Sequence, residues 1–230
     1  VRDRLAARHR VIAVDWPGQG NSGDDRHPPS AARYAELAMG ALDALGIERA
    51  VVVGNSIGGA AALRMASARP ERVSALVLEN PGGLDPSDRT ARTAIAAMVR
   101  FFDAGAHGAR WFPAAFALYY RLVLQRAAAA EQRRRIVASA VEIAPLLRDA
   151  WRGFGEPDAD LRDLVATLRV PVLLAWASRD RIVQLRRCLP AIARIPGARL
   201  ERFAAGHAPH LETTDAFLGS VERFLAGVAA

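Results

Sequence analysis

The chain has 230 residues, 51% of them apolar, with 31 basic and 24 acidic side chains and a formal net charge of +7. That is enough apolar material for one domain with a substantial core, and no run reaches the eighteen or so continuous apolar residues that a membrane span needs. Every basic residue is arginine and the arginines are scattered, so the charge reads as a coding bias rather than a nucleic-acid surface. Only Arg133, Arg134 and Arg135 form a run, which a solvated helix face explains. The single cysteine, Cys188, excludes an intrachain disulfide and a cysteine-rich zinc site, and fits a reducing, cytoplasmic compartment.

In chain order, short apolar strands are predicted at Val11–Val14, Val51–Val53, Val73–Leu78 and Pro171–Trp176, with a weaker one at Arg199–Phe203. Helix-like segments separate them: Ala31–Leu45, ended by Gly46; Gly59–Ala68, ended before Pro70; and a terminal helix at Asp215–Leu225. Such alternation implies an α/β fold with a mostly parallel sheet flanked by helices. One interval breaks the rhythm. From about Gly83 to Val165 the pattern is helical, rich in large apolar side chains and without a convincing strand, and it is far too long for an ordinary crossover. It is read as a helical insertion at 84–165 within a core made of 1–83 and 166–230, and Pro113 and Pro145 are expected to divide it into several helices. Its aromatic residues either pack its own core or face a substrate.

The stretch VVVGNSIGGA, residues 51–60, requires a strand to become a helix within about three residues. Gly-x-Ser-x-Gly in that context is a nucleophile elbow: Gly54 and Gly58 relieve a sharp turn that exposes the hydroxyl of Ser56 in a strained backbone conformation. The helix that follows aims backbone N–H groups and its positive end at Ser56. The alternative is a glycine-rich turn that merely packs a helix on a strand.

A serine hydroxyl is a weak nucleophile near neutral pH and needs a histidine base oriented by a carboxylate. Asp180 follows the strand PVLLAWAS, and His207 follows the last strand in FAAGHAPHLE, with Gly206 easing the turn. The order Ser, Asp, His and the placement of all three at carboxyl ends of strands fit a parallel-sheet active site. Glu79 could supply the acid instead, Asp180 could cap a helix or pair with Arg179 or Arg181, and His210 could be the base. His9, His27 and His107 read as surface or loop residues, and the five histidines show no metal-ligand spacing.

Taken together, VIAVDWPGQGNSG, VVVGNSIGGAAALRMASARPERVSALVLENPGG, PVLLAWASRD and GHAPHLETTDAF resemble the α/β-hydrolase family along nearly the whole chain. The resemblance implies Ser56 as nucleophile, Asp180 as acid and His207 as base, a structural loop at Asp15–Ser22, and the insertion as the family's cap over the pocket. Family members place two further strands, then a third followed by a His-Gly loop, ahead of the segment that begins here. The loop normally supplies the second oxyanion-hole donor, so only the N–H of Ile57 is assigned to that role. The resemblance thus implies a shortened chain with unpaired edges in its sheet.

The expected chemistry is hydrolysis of a carboxylic ester carrying a small hydrophobic group, without cofactor or metal. GNSIGG with LENPGGL is also similar to hydrolases that cleave carbon–carbon bonds in ring-fission products of aromatic degradation. A third reading makes the chain a non-catalytic binding module or inactive fragment. No nucleic-acid partner is expected, and nothing in the sequence speaks to oligomeric state.

Overall fold

The computed structural model describes residues 1–228. In chain order the elements are α1 (Arg2–Ala6), α2 (Ala31–Ala44), β1 (Ala50–Asn55), α3 (Ile57–Ala68), β2 (Val73–Glu79), α4 (Arg89–Ala106), α5 (Phe112–Val123), α6 (Ala130–Ala138), α7 (Ala140–Gly153), β3 (Val172–Ala177), α8 (Leu185–Ile192), β4 (Arg199–Phe203), α9 (Pro209–Glu212) and α10 (Thr214–Val228), joined in places by short 3-10 turns. The four strands form one sheet in the order β1-β2-β3-β4, every neighbouring pair parallel.

Period-two alternation divides the core between the two sheet faces. Leu76 and Leu78 of β2 and Val172, Leu174 and Trp176 of β3 pack with α2, α3 and α8. Their sequence neighbours Ala75, Val77, Leu173 and Ala175 pack with Phe203 and with Phe217, Leu218, Val221 and Phe224 of α10. Both faces are covered, which is why β3 is apolar throughout, β2 is apolar except at Ser74 and Glu79, and both are buried along nearly their whole length. Ser30 caps α2 by accepting the Arg33 N–H, and Gly46, at φ +63°, ends it.

The expected strand at Val11–Val14 does not form: these residues lie outside the sheet with no regular secondary structure, and Ile12 and Val14 are exposed. β-branched residues favour strands because a neighbouring strand and a packed face reward them, and this segment has neither. The outer edge of β1 carries no partner strand among the described residues, and on it Val51 and Val53 are 37% and 48% exposed.

The segment between β2 and β3 is helical, as expected, and α4 lies along α7. Phe102, Phe112, Phe116, Ala140 and Ala144 are its buried centre, so these aromatics pack against one another rather than line a pocket. Phe101 and Phe102 meet edge to face in this cluster, with ring centres 5.0 Å apart and planes at 67°. Pro113 does mark a boundary, in the first turn of α5. Pro145 does not: it lies inside α7. Its missing N–H leaves the Val141 carbonyl without a helical partner, but Val141 is on an exposed face where water can serve that oxygen, and packing on α4 holds the helix. A proline inside α8, Pro190, is accommodated as well.

Candidate active site

The turn from β1 to α3 is as sharp as the sequence requires. Ser56 sits at φ 53°, ψ −116°, a region that non-glycine residues rarely occupy. Its N–H donates to the Glu79 carbonyl at 3.0 Å, and its own carbonyl accepts from Gly82 at 3.0 Å and Ala60 at 3.1 Å, so the strained residue is fastened on both sides. The glycines that make the turn possible are not the expected pair. A Cβ on Gly54 would fall 2.4 Å from the Gly58 carbonyl oxygen, and one on Gly59 would fall 2.8 Å from Pro81 Cβ. A Cβ on Gly58 would meet only the Trp16 ring, at 4.0 Å. Trp16 belongs to the Asp15–Ser22 loop, which the Asp15 carboxylate and carbonyl hold by accepting from the Asn21 N–H and the Ser22 hydroxyl. Its ring stacks on Tyr34 at 4.2 Å with an interplanar angle of 1°.

His207 and Asp180 come together from the loops after β4 and β3. The imidazole Nδ1 is 2.7 Å from Asp180 Oδ2, and the other carboxylate oxygen accepts the N–H groups of Ile182 at 2.7 Å and Val183 at 3.1 Å. Both side chains are buried, with Asp180 only 1% exposed. Asp180 does turn its own loop, but neither Arg179 nor Arg181 pairs with it among the described residues. With Asp180 accepting at Nδ1, the tautomer assigned to the neutral ring leaves Nε2 free to accept a proton.

Ser56 reaches this pair through the backbone. Asn55, immediately before it, donates its side-chain Nδ2 to the His207 carbonyl at 2.9 Å. The same oxygen accepts from Asn80 at 2.8 Å, and Asn80 in turn accepts the Ala177 N–H at 2.7 Å. Asn80, fully buried at φ 41°, thereby ties the ends of β2 and β3 to the histidine loop. The Ser56 hydroxyl itself has no hydrogen-bond partner among the described residues.

The rival acid and base also pair, but with each other. His210 donates its backbone N–H to Glu79 Oε2 and places Nδ1 2.9 Å from the same oxygen. Burial disfavours the charged imidazole, yet the charge and hydrogen bond of Glu79 outweigh it and raise the His210 pKa above its ordinary value. Two histidine–carboxylate pairs therefore stand side by side, and only His207–Asp180 includes the residues that order and context selected.

Two residues at this site escaped sequence reading: Asn80, and Glu212, whose buried carboxylate accepts backbone N–H groups from the His207 loop. The first lay inside the quoted NPGG and the second in HLETT, but a fold partner, not a local pattern, gives each its role. Among the described residues no group of three or more His, Cys, Asp or Glu side chains is arranged to hold a metal ion. No described helix is long and apolar enough to cross a membrane. A surface hollow of about 570 Å³, bordered by Arg202, Phe203 and Gly219, lies apart from this site and is lined by none of Ser56, Asp180 or His207.

A parallel sheet covered on both faces, with a strained serine turn after one strand and a histidine–aspartate pair on loops after two others, defines a class that comparison identifies. The family model described as alpha/beta hydrolase fold matches residues 2–214, and the chain belongs to that family as a hydrolase. It is 33% identical over 234 residues to 2-hydroxymuconate semialdehyde hydrolase of Pseudomonas putida, covering 97% of this chain and 79% of the relative. It is 31% identical over 239 residues to 2-hydroxy-6-oxo-6-phenylhexa-2,4-dienoate hydrolase of Burkholderia cepacia, covering 96% and 79% respectively. Among solved structures, a thermophilic esterase from Thermogutta terrifontis superposes with a TM-score of 0.79 at 21% identity, covering 100% of this chain and 84% of that one.

Proposed function

We propose that the chain is a serine hydrolase that cleaves a carboxylic ester through an acyl-enzyme, with Ser56 as nucleophile, His207 as base and Asp180 as the acid that orients it. The observation that carries this reading is the 2.7 Å His207–Asp180 contact on a loop that Asn55 ties to the strained Ser56 turn. Ser56 Oγ attacks the substrate carbonyl carbon as His207 Nε2 takes its proton. Asp180 stabilises the imidazolium, and as the ester C–O bond breaks the leaving alkoxide takes that proton from Nε2. Water, deprotonated by the same Nε2, releases the acid and restores the serine. The developing oxyanion is placed at the N-terminus of α3, where the Ile57 N–H and the helix dipole favour negative charge. No step calls for a cofactor or metal. Residues 84–165 act as the cap, residues 1–83 and 166–230 as the core, and the substrate carries a small hydrophobic acyl or alcohol group.

A second reading, cleavage of a carbon–carbon bond in a vinylogous diketo acid, is favoured by Asn55 before the serine, by Pro81-Gly82-Gly83 after β2, and by the two ring-fission hydrolases at 31% and 33% identity.

The deciding experiment is peptide mapping after treatment with a fluorophosphonate at neutral pH. One adduct on Ser56, abolished in His207→Ala, is the expected outcome; no adduct, or one that survives His207→Ala, refutes the serine mechanism. Turnover of p-nitrophenyl esters against a vinylogous diketo acid then separates the two substrate readings.

A further inference from the structure

Glu212, at the end of α9, is 2% exposed and forms no ion pair among the described residues. Its carboxylate is satisfied by five backbone N–H groups. Oε1 accepts from Gly206 at 2.9 Å, His207 at 3.1 Å and Ala208 at 3.3 Å. Oε2 accepts from Gln125 at 2.8 Å and Arg126 at 3.0 Å, just beyond the end of α5. Three successive N–H groups turned to one side make an anion-binding nest, and here the chain's own side chain fills it. A buried carboxylate so dependent on backbone donors keeps them all in register, because releasing any of them leaves charge without compensation.

Independent contacts join the same two segments. Gly206 packs so close to the end of α5 that a Cβ there would lie 2.4 Å from the Val123 carbonyl oxygen. Arg126 Nη1 donates to the Ala204 carbonyl at 3.0 Å, and Gln125 Nε2 donates to the Arg179 carbonyl, beside Asp180, also at 3.0 Å. The junction at 123–126 therefore touches the loops of both the histidine and the aspartate.

We propose that Glu212 is a positioning residue that fastens the helical segment between β2 and β3 to the loop carrying His207, so that unseating residues 125–126 and loosening the His207 loop are one event. The consequence for turnover rests on His207 being the base; the coupling itself does not. A helical segment that lifts to admit substrate would relax the base, and reseating would restore it before chemistry.

The test uses the 230-residue chain with Glu212→Gln, which retains an oxygen for one set of donors but turns an NH₂ on the other. Amide hydrogen exchange should accelerate together in peptides spanning 122–127 and 204–210. Fluorophosphonate labelling of Ser56 should slow by about 10- to 100-fold, the scale expected for a misplaced catalytic group, with stoichiometry per chain unchanged and with kcat rather than KM falling for an ester. Acceleration in only one peptide, or unchanged exchange in both, overturns the coupling. A reduced stoichiometry with an unchanged rate per labelled site means that Glu212 supports folding alone, and also overturns it. Should the parent chain fail to label Ser56, the serine reading falls while hydrogen exchange still decides the coupling. If Glu212→Gln does not fold, Arg126→Pro, at a residue whose φ is −86°, removes one distant donor and is compared with Arg126→Ala, which loses only the side chain. Faster exchange at 204–210 in Arg126→Pro beyond that in Arg126→Ala supports the proposal, and equal exchange overturns it.

Discussion

The elbow makes a prediction that separates geometry from motif. The Gly-x-Ser-x-Gly pattern names Gly54 and Gly58, whereas the close contacts fall on Gly54 and Gly59. In Gly54→Ala the new methyl would meet three backbone atoms, Gly58 O at 2.4 Å, Gly58 C at 2.5 Å and Gly59 N at 2.7 Å, and no rotamer can relieve them. In Gly59→Ala it would meet Pro81 Cβ at 2.8 Å and Cα at 3.0 Å. Non-bonded carbons prefer about 3.5–4.0 Å, and forcing atoms into a packed site costs about 1–3 kcal/mol or more. Gly54→Ala belongs at or above the upper end of that range, because its neighbours are the peptide groups of the turn itself. At about 2–4 °C per kcal/mol for a chain of this size, its Tm should fall by about 6–12 °C, and that of Gly59→Ala by several degrees. Gly58→Ala adds a methyl within α3 at ordinary contact distance from the Trp16 ring and should be neutral or stabilising, by up to about 1 kcal/mol. Thermal melts of the three variants, followed by circular dichroism, read this directly. Gly58→Ala melting as low as Gly54→Ala would refute the reasoning, as would a Gly54→Ala variant that melts with the parent.

Three further outcomes are expected. Cys188 is fully buried and burial pushes its thiol pKa up to about 12, with the Asp85 charge adding to the effect, so it should resist iodoacetamide at pH 8 in the native state and react in urea; rapid native labelling would contradict the packing. His210 has a raised pKa in the folded state, so its contribution to stability is full below its ordinary pKa of about 6.5 and is lost as pH rises through the folded value. The Tm difference between the parent and His210→Ala should therefore shrink from pH 6 to alkaline pH, and a constant difference would count against the ion pair with Glu79. Val53, 48% exposed on the unpaired edge of β1, should accept lysine with a stability change within about 0.5 kcal/mol, while Val53→Lys reduces concentration-dependent self-association in light scattering. Self-association that persists undiminished would place the sticky surface elsewhere.

What the sequence made legible follows from which interactions are local. Four of the five expected strands lie within a residue or two of their final bounds, because β2 and β3 are apolar runs buried on both faces and the turns around them are chemically marked. Val11–Val14 carries the same composition, but its strand depends on a neighbour that the residues themselves cannot report. Pro145 misleads for a related reason: a helix tolerates proline where the freed carbonyl meets solvent and tertiary packing holds the axis. Ser56, Asp180 and His207 were each marked by their place after a strand, whereas the Glu79–His210 pairing needed the spatial arrangement to separate it from the neighbouring pair. Three of the Glu212 donors lie four to six residues upstream, but Gln125 and Arg126 are 87 and 86 residues away, and that half of its role has no local signature.

The backbone at Ser56 has an evolutionary corollary. A serine held at φ 53°, ψ −116° stores about 1–3 kcal/mol of strain, which glycine would shed because it lacks the offending Cβ. Under the proposed serine mechanism, a lineage released from selection on chemistry at this turn would gain stability by drifting to glycine at position 56. Descendants that keep serine there would be retaining the less stable choice, so the residue at this single position should sort working members from retired ones before any of them is assayed.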